Sequence, residues 1–176
     1  MAKGIVRTDN LQSTKSGNIK SARFYSSANL AAIENGNIVV LDGLISTANR
    51  ELFKAVAPSA ITAKNVYLVA TPEIIYEETI KSTGALGNFE NVAGSNITLM
   101  GLEAGDIFSV SDECITAIDD ADDIPAVGNY AIIDANKTKM KEVATFGGTE
   151  GFVCKIIARE LFKKDVYLNV LQVITN

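Results

Sequence analysis

The sequence predicts a mainly β protein: a small barrel or sandwich closed by a C-terminal β-hairpin, with an extended N-terminal arm. Three observations lead there. Residues 152–162 and 166–174 are long β-prone runs joined by the short polar link Lys163-Lys164-Asp165, which is the pattern of a hairpin. Shorter β-prone runs precede them at regular spacing, separated by glycine-marked turns, as in all-β barrels and sandwiches. Residues 1–28 hold only scattered apolar side chains and no sustained period, so they read as an arm rather than a packed element.

The C-terminal runs are apolar on both faces for much of their length, broken mainly by Lys155, Arg159, Glu160, Asn169 and Gln172. A strand with two apolar faces needs cover on both sides, so earlier strands are expected to wrap onto this hairpin.

In the arm, Ile5, Val6, Leu11, Ile19, Phe24 and Tyr25 stand alone among Ser, Thr, Asn, Lys and Gly. Such a segment either frays or orders against a partner, with the Phe24-Tyr25 pair favouring the second. Next, residues 30–34 and 37–41 flank Asn35-Gly36, and Asn-Gly between apolar runs predicts a hairpin through a type I′ turn. The alternative is a short helix over 27–33 with Gly36 as its C-cap. Asp42-Gly43 reads as the turn that ends the second strand.

Residues 51–56 and 66–69 read as strands closed by Pro58 and Pro72. Residues 74–78 either continue the sheet or form one helical turn, and 79–96, with Gly84, Gly87 and Gly94, read as a long loop or a mobile hairpin on the surface. Strands are then expected at 97–100, 106–110, 114–118, 130–133 and 139–145. The body is assigned to 29–176, with a division into lobes 29–100 and 101–176 left open.

Composition narrows the chemistry. The 176 residues are 47% hydrophobic and 21% charged, typical of a globular chain. No run approaches the ~18 apolar residues of a membrane span, and residues 1–7 carry no apolar stretch of a secretory signal. Asn96-Ile97-Thr98 and Asn136-Lys137-Thr138 are accordingly read as chance matches to a glycosylation motif. The chain has no histidine, which removes the commonest general base and the usual activators of serine and cysteine. Cys114 and Cys154 are read as buried free thiols. No cofactor, metal or catalytic residue is expected.

The Asp119-Asp120-Ala121-Asp122-Asp123 cluster lacks the alternate spacing and glycine of a calcium loop and reads as a solvated acidic tip. Gly84-Ala85-Leu86-Gly87 and the 147–151 loop lack the strand–glycine–helix setting of a phosphate cradle.

Charge is unevenly spread. Residues 1–28 contain Lys3, Arg7, Lys15, Lys20 and Arg23 against Asp9 alone, a net +4, which leaves −9 on the rest of a −5 chain. A basic arm on an acidic body suggests an arm that docks on an acidic partner. The arm could alternatively contact nucleic acid, with Phe24 and Tyr25 stacking on bases. The acidic body argues against that, and direct nucleic-acid contact is not expected.

Three stretches, Ile33-Glu34-Asn35-Gly36-Asn37-Ile38-Val39, Val66-Tyr67-Leu68-Val69-Ala70-Thr71-Pro72-Glu73 and Ala104-Gly105-Asp106-Ile107-Phe108-Ser109-Val110, resemble in order and outline the small auxiliary capsid proteins of tailed bacteriophages. The Pro125-Ala126-Val127-Gly128 turn and the last hairpin belong to the same likeness, which is to proteins of the head decoration, cement or head-fibre type. The resemblance implies a non-enzymatic virion protein that binds the major capsid protein on the outer surface of the head. It further implies homo-oligomers, no membrane, and assembly in the host cytoplasm. Lys3, Arg7, Lys15, Lys20 and Arg23 would then dock the arm, with Phe24 and Tyr25 as apolar anchors. Another virion component, such as a head–tail connector or tail protein, is the nearest alternative, followed by a small-barrel nucleic-acid binder and a carboxylate-based enzyme.

Overall fold

The computed structural model describes residues 3–12, 18–73, 86–118, 124–163 and 166–176. The expectations for residues 74–78, for the start of the 79–96 loop, for Asp119–Asp123, for Lys15 and for the Lys164-Asp165 tip lie outside them. Among the described residues there are thirteen strands in two sheets: β1 Val6–Gln12, β2 Ile19–Ser26, β3 Asn29–Leu30, β4 Ile38–Ser46, β5 Asn49–Val56, β6 Tyr67–Val69, β7 Ile97–Gly101, β8 Ile107–Ser111, β9 Ile115–Thr116, β10 Tyr130–Ile133, β11 Met140–Val143, β12 Val153–Lys163 and β13 Val166–Thr175. The fold is mainly β, as the sequence predicts.

The first sheet closes on itself. Its order is β3-β2-β5-β4-β6-β7, and β7 returns to pair with β2, so β2, β5, β4, β6 and β7 form a closed five-stranded barrel. Only β2 and β5 run parallel in it. The second sheet has seven strands in the order β1-β8-β13-β12-β10-β11-β9. The C-terminal hairpin β12–β13 is central to it, with β8 on one side and β10 on the other.

Alternation along β4 and β6 shows how the two sheets meet. Val39 and Leu41 point into the barrel, against Ala22, Phe24, Ala55, Ile97 and Leu99. Ile38 and Val40 point the other way, into a larger cluster with Phe108, Phe152, Ile156, Leu171 and Val173 of the second sheet. In β6, Tyr67 and Val69 face the barrel while Leu68 faces the sheet, and Val66 and Ala70 on either side of it do the same. Successive side chains of a strand point to opposite faces, so a strand serving two cores must be apolar at every position. That accounts for the unbroken Ile38-Val39-Val40-Leu41 and Val66-Tyr67-Leu68-Val69-Ala70 runs.

Three expectations are corrected. The N-terminal stretch is extended but is not a separate arm: β1 pairs with β8 (Val6 opposite Val110), and β2 pairs with both β5 and β7 inside the barrel. Ala22 and Phe24 alternate into the barrel core, a period disguised because one of the two inward residues is a small alanine. Asn35-Gly36 does form a turn, but it joins no hairpin. Residues 29–30 pair back onto β2, and Ile33 bridges Asn91. Asp42-Gly43 does not end β4 either; the register shifts between Leu41 and Leu44, and the strand continues past this bulge to Ser46.

The Asn35-Gly36 turn is a joint between the layers. The Asn35 amide accepts from Thr71 N–H (3.1 Å) and donates to Thr71 C=O (2.8 Å), and Gly36 N–H donates to Val69 C=O (2.8 Å). Gly36 has φ +80°, and a Cβ there would lie 2.4 Å from the sulfur of Cys114. Gly43 has a similar φ of +78° but open space around it. Gly43→Ala should therefore cost about 1 kcal/mol from backbone conformation alone, and Gly36→Ala clearly more. Adding Cys114→Ala should recover part of the Gly36→Ala loss in urea unfolding. Additive losses would mean that the sulfur contact is not what excludes a side chain at position 36.

Candidate functional site

The residues expected to dock a partner are scattered, and most are engaged within the chain. Lys3 bridges Glu90 (3.1 Å) and Glu34 (3.3 Å), and these two carboxylates hold its ammonium pKa above the usual value. The Arg7 guanidinium lies 4.9 Å from the centre of the Phe162 ring. Lys20 sits opposite Leu99 in the β2–β7 pairing. Arg23 donates to the Asn96 side chain (2.9 Å), and Phe24 is buried in the barrel. Tyr25, together with the edge of Phe24, lines an open groove beside Lys54, whose ammonium stands 5.6 Å from the Tyr25 ring centre. These residues do not form one surface, because β1 and β2 belong to different sheets.

Exposed apolar side chains also mark the outer part of the C-terminal hairpin. β10 follows β12 only as far as Lys155, with main-chain bonds between Asn129, Gly128 and Ile156 completing the pairing. On the other side β8 pairs with β13 from Leu168 onward. Residues 157–163 of β12 thus run on without a strand neighbour on their outer edge among the described residues. Leu161 (64% exposed) and Tyr167 (41%), opposite each other, form an apolar strip across the hairpin, and Ile157 (37%) and Val127 (55%) are exposed near the point where the β10 pairing ends. A free strand edge with apolar side chains is what partner proteins pair with or cover.

That strip is held firmly. Leu161 and Tyr167 are directly opposite in the β12–β13 register. Beneath them, Asp112, in the short 3-10 turn 112–114 after β8, takes Arg159 at 2.5 Å and the Asn169 amide at 2.7 Å. Arg159 also stacks 4.3 Å from the centre of the Tyr167 ring. A planar guanidinium between a carboxylate and an aromatic face is strongly oriented, so the hairpin presents its apolar side in a fixed pose.

Glu142 organises the neighbouring loop. It is buried and accepts from Ile118 N–H (3.0 Å), Ala126 N–H (2.8 Å) and the Asn129 amide (2.7 Å). It thereby ties the ends of the 118–126 connection to β11, next to Val127. Sequence reasoning misses both Asp112 and Glu142, because each acts on residues distant in the chain.

The 147–151 loop does not offer a free anion cradle. In the 147–151 loop the Glu150 carboxylate already accepts Gly147 N–H (3.0 Å) and Thr149 N–H (2.9 Å), and these main-chain donors lower its pKa. Gly151 is pressed on the 61–63 loop, donating to Ile61 C=O. Both cysteines are buried. Burial pushes the Cys114 thiol up to about 12 and raises Cys154 in the same direction, so neither presents a thiolate nucleophile at neutral pH. Among the described residues no three carboxylates or thiols converge as metal ligands, and no helix is long and apolar enough to cross a membrane. No known protein family, curated protein or solved structure matches this chain.

Two outcomes follow from these buried groups. Glu142→Gln sets an amide NH2 against one of the main-chain donors, so unfolding should be easier by about 1–3 kcal/mol, with faster hydrogen exchange at Ile118 or Ala126; unchanged stability and exchange would contradict the clamp. The raised cysteine pKa values act at alkaline pH. Their stabilising effect is complete below about pH 9, where the unfolded thiols are also protonated, and is lost as pH rises toward about 12, because the unfolded chain ionises first. The loss of stability between about pH 8 and about pH 10.5 should accordingly be smaller in Cys114→Ala/Cys154→Ala than in the parent chain.

Proposed function

We propose that this chain is a non-enzymatic structural protein of a bacteriophage virion, binding the major capsid protein on the outer surface of the head and decorating or stabilising it. The observation that carries the reading is the apolar strip of Leu161 and Tyr167 on a braced hairpin, with Ile157 and Val127 also exposed, in an otherwise acidic chain. Such a strip is costly to leave in water and suits a permanent protein contact. The sequence likeness to auxiliary capsid proteins supplies the identity of the partner. The lack of histidine and the burial of both thiols agree with a structural role.

The contact moves, in this reading, from the basic N-terminal residues to the C-terminal hairpin. Lys3, Arg7 and Arg23 are committed to partners within the chain, and Phe24 holds the barrel together. Assembly would take place in the host cytoplasm, with copies associating at symmetry-related positions on the shell.

Leu161→Asp and Val127→Asp should abolish retention on purified heads carrying the parent major capsid protein, while changing stability by only about 0.5 kcal/mol, as expected of exposed sites. Leu44→Asp, at an exposed apolar position of the barrel, serves as the control and should remain bound. Retention of both hairpin variants at parental occupancy would overturn the proposed contact; a parent chain that never binds heads would overturn the capsid role.

A further inference from the structure

The second feature of note is a groove of about 650 Å³ where the barrel meets the second sheet. It exists because the only parallel pair of the barrel comes apart. β2 and β5 are in register from Ser21 opposite Leu52 to Phe24 opposite Ala55. Beyond that point β2 turns into β3 through Ser27, at φ +57°, while β5 ends at Val56. Beyond Phe24 the two strands part, and Tyr25 and Ser26 pair instead with Leu30 and Asn29 of β3 on the other edge of β2. Phe24, Val56 and Ala57 contribute apolar surface to the opening.

The remaining wall comes from the other sheet, in the loop between β10 and β11. Asn136, Lys137, Thr138 and Lys139 line the groove there. This wall is bolted to the barrel by Ile38 N–H donating to Thr138 C=O (2.8 Å) and Asn136 N–H donating to Pro58 C=O (2.8 Å). The groove is thus preformed, and its size lies within the about 300–1,000 Å³ common for ligand sites.

Its charge runs against that of the chain. Lys54, Lys137 and Lys139 line it, with Asp42 as the one carboxylate, in a protein of net charge −5. Lys54 is paired with Asp42 (2.8 Å) and Lys137 with Asp134 (2.7 Å), whereas Lys139 has no ion-pair partner among the described residues. Three lysines on two walls, with the Tyr25 ring between them, suit an extended chain carrying carboxylates. A compact phosphate would call instead for converging main-chain donors.

We propose that this groove binds an acidic peptide segment of a protein partner, its chain running past the Tyr25 ring and its carboxylates meeting Lys137, Lys139 and Lys54. This contact is separate from the hairpin strip and does not depend on the capsid reading. It also relocates the basic docking surface from the N-terminal residues to lysines that are far apart in the sequence.

The test is an NMR titration of the isotope-labelled full chain with a blocked hexaglutamate peptide, with inorganic phosphate as a separate arm. Hexaglutamate should shift the amides of Tyr25, Ser26, Lys54, Thr138 and Lys139. In Lys137→Glu/Lys139→Glu its affinity should fall about tenfold or more, and in high salt it should weaken as well. Leu161→Asp should leave the titration unchanged, which separates this site from the hairpin. The proposal is overturned if hexaglutamate gives no localised shifts, if phosphate reproduces the same pattern, or if the double variant, still folded by its spectrum, binds as tightly as the parent.

Discussion

Everything in this fold depends on β4 and β6 having two apolar faces. One face of each closes the small barrel and the other covers the seven-stranded sheet. A closed barrel is self-sufficient only when its outside is polar. Here part of the outside is Ile38, Val40, Val66 and Leu68, so barrel and sheet must be built against each other. The same constraint explains the Asn35-Gly36 turn. It has to pass between the end of β6 and Cys114 with no room for a side chain, and a buried asparagine satisfies the exposed backbone of Thr71 on the way.

The legible part of this structure was its strands. The C-terminal hairpin is long, rich in β-branched residues and interrupted by a polar turn, and it lies within a residue or two of where the sequence places it. Strands 67–69, 97–101, 107–111 and 130–133 were also readable, because short apolar runs bounded by glycine or proline carry strong local signals. Partners were another matter. Asn-Gly announces positive φ but not which strands the turn connects, so from sequence Gly36 reads as a hairpin turn and Gly43 as a strand end. The N-terminal strands look like an arm because what buries Ala22 and Phe24 lies in β4, β5, β6 and β7, none of it nearby in sequence.

The candidate surfaces were harder still to read. Leu161 and Tyr167 look like ordinary core residues of an apolar hairpin until their neighbouring strands are seen to stop short. Lys54, Lys137 and Lys139 come from different sheets and share no motif. The residues that brace the hairpin, Asp112 and Arg159, are joined only by folding. In each case the information is in the topology, which converts scattered side chains into a surface.

The pairing of β1 with β8 has a consequence for the order in which the molecule is made. The strand at Val6–Gln12 leaves the ribosome early, yet its partner does not exist until residues 107–111 have been synthesised. During that interval β2 to β7 can already close around Ala22 and Phe24. The waiting strand must stay extended in water without joining another chain. Its polar sequence, Arg7-Thr8-Asp9-Asn10-Leu11-Gln12, is suited to that delay. The composition that makes it resemble a free arm suits a strand that must wait for a partner made much later in the chain.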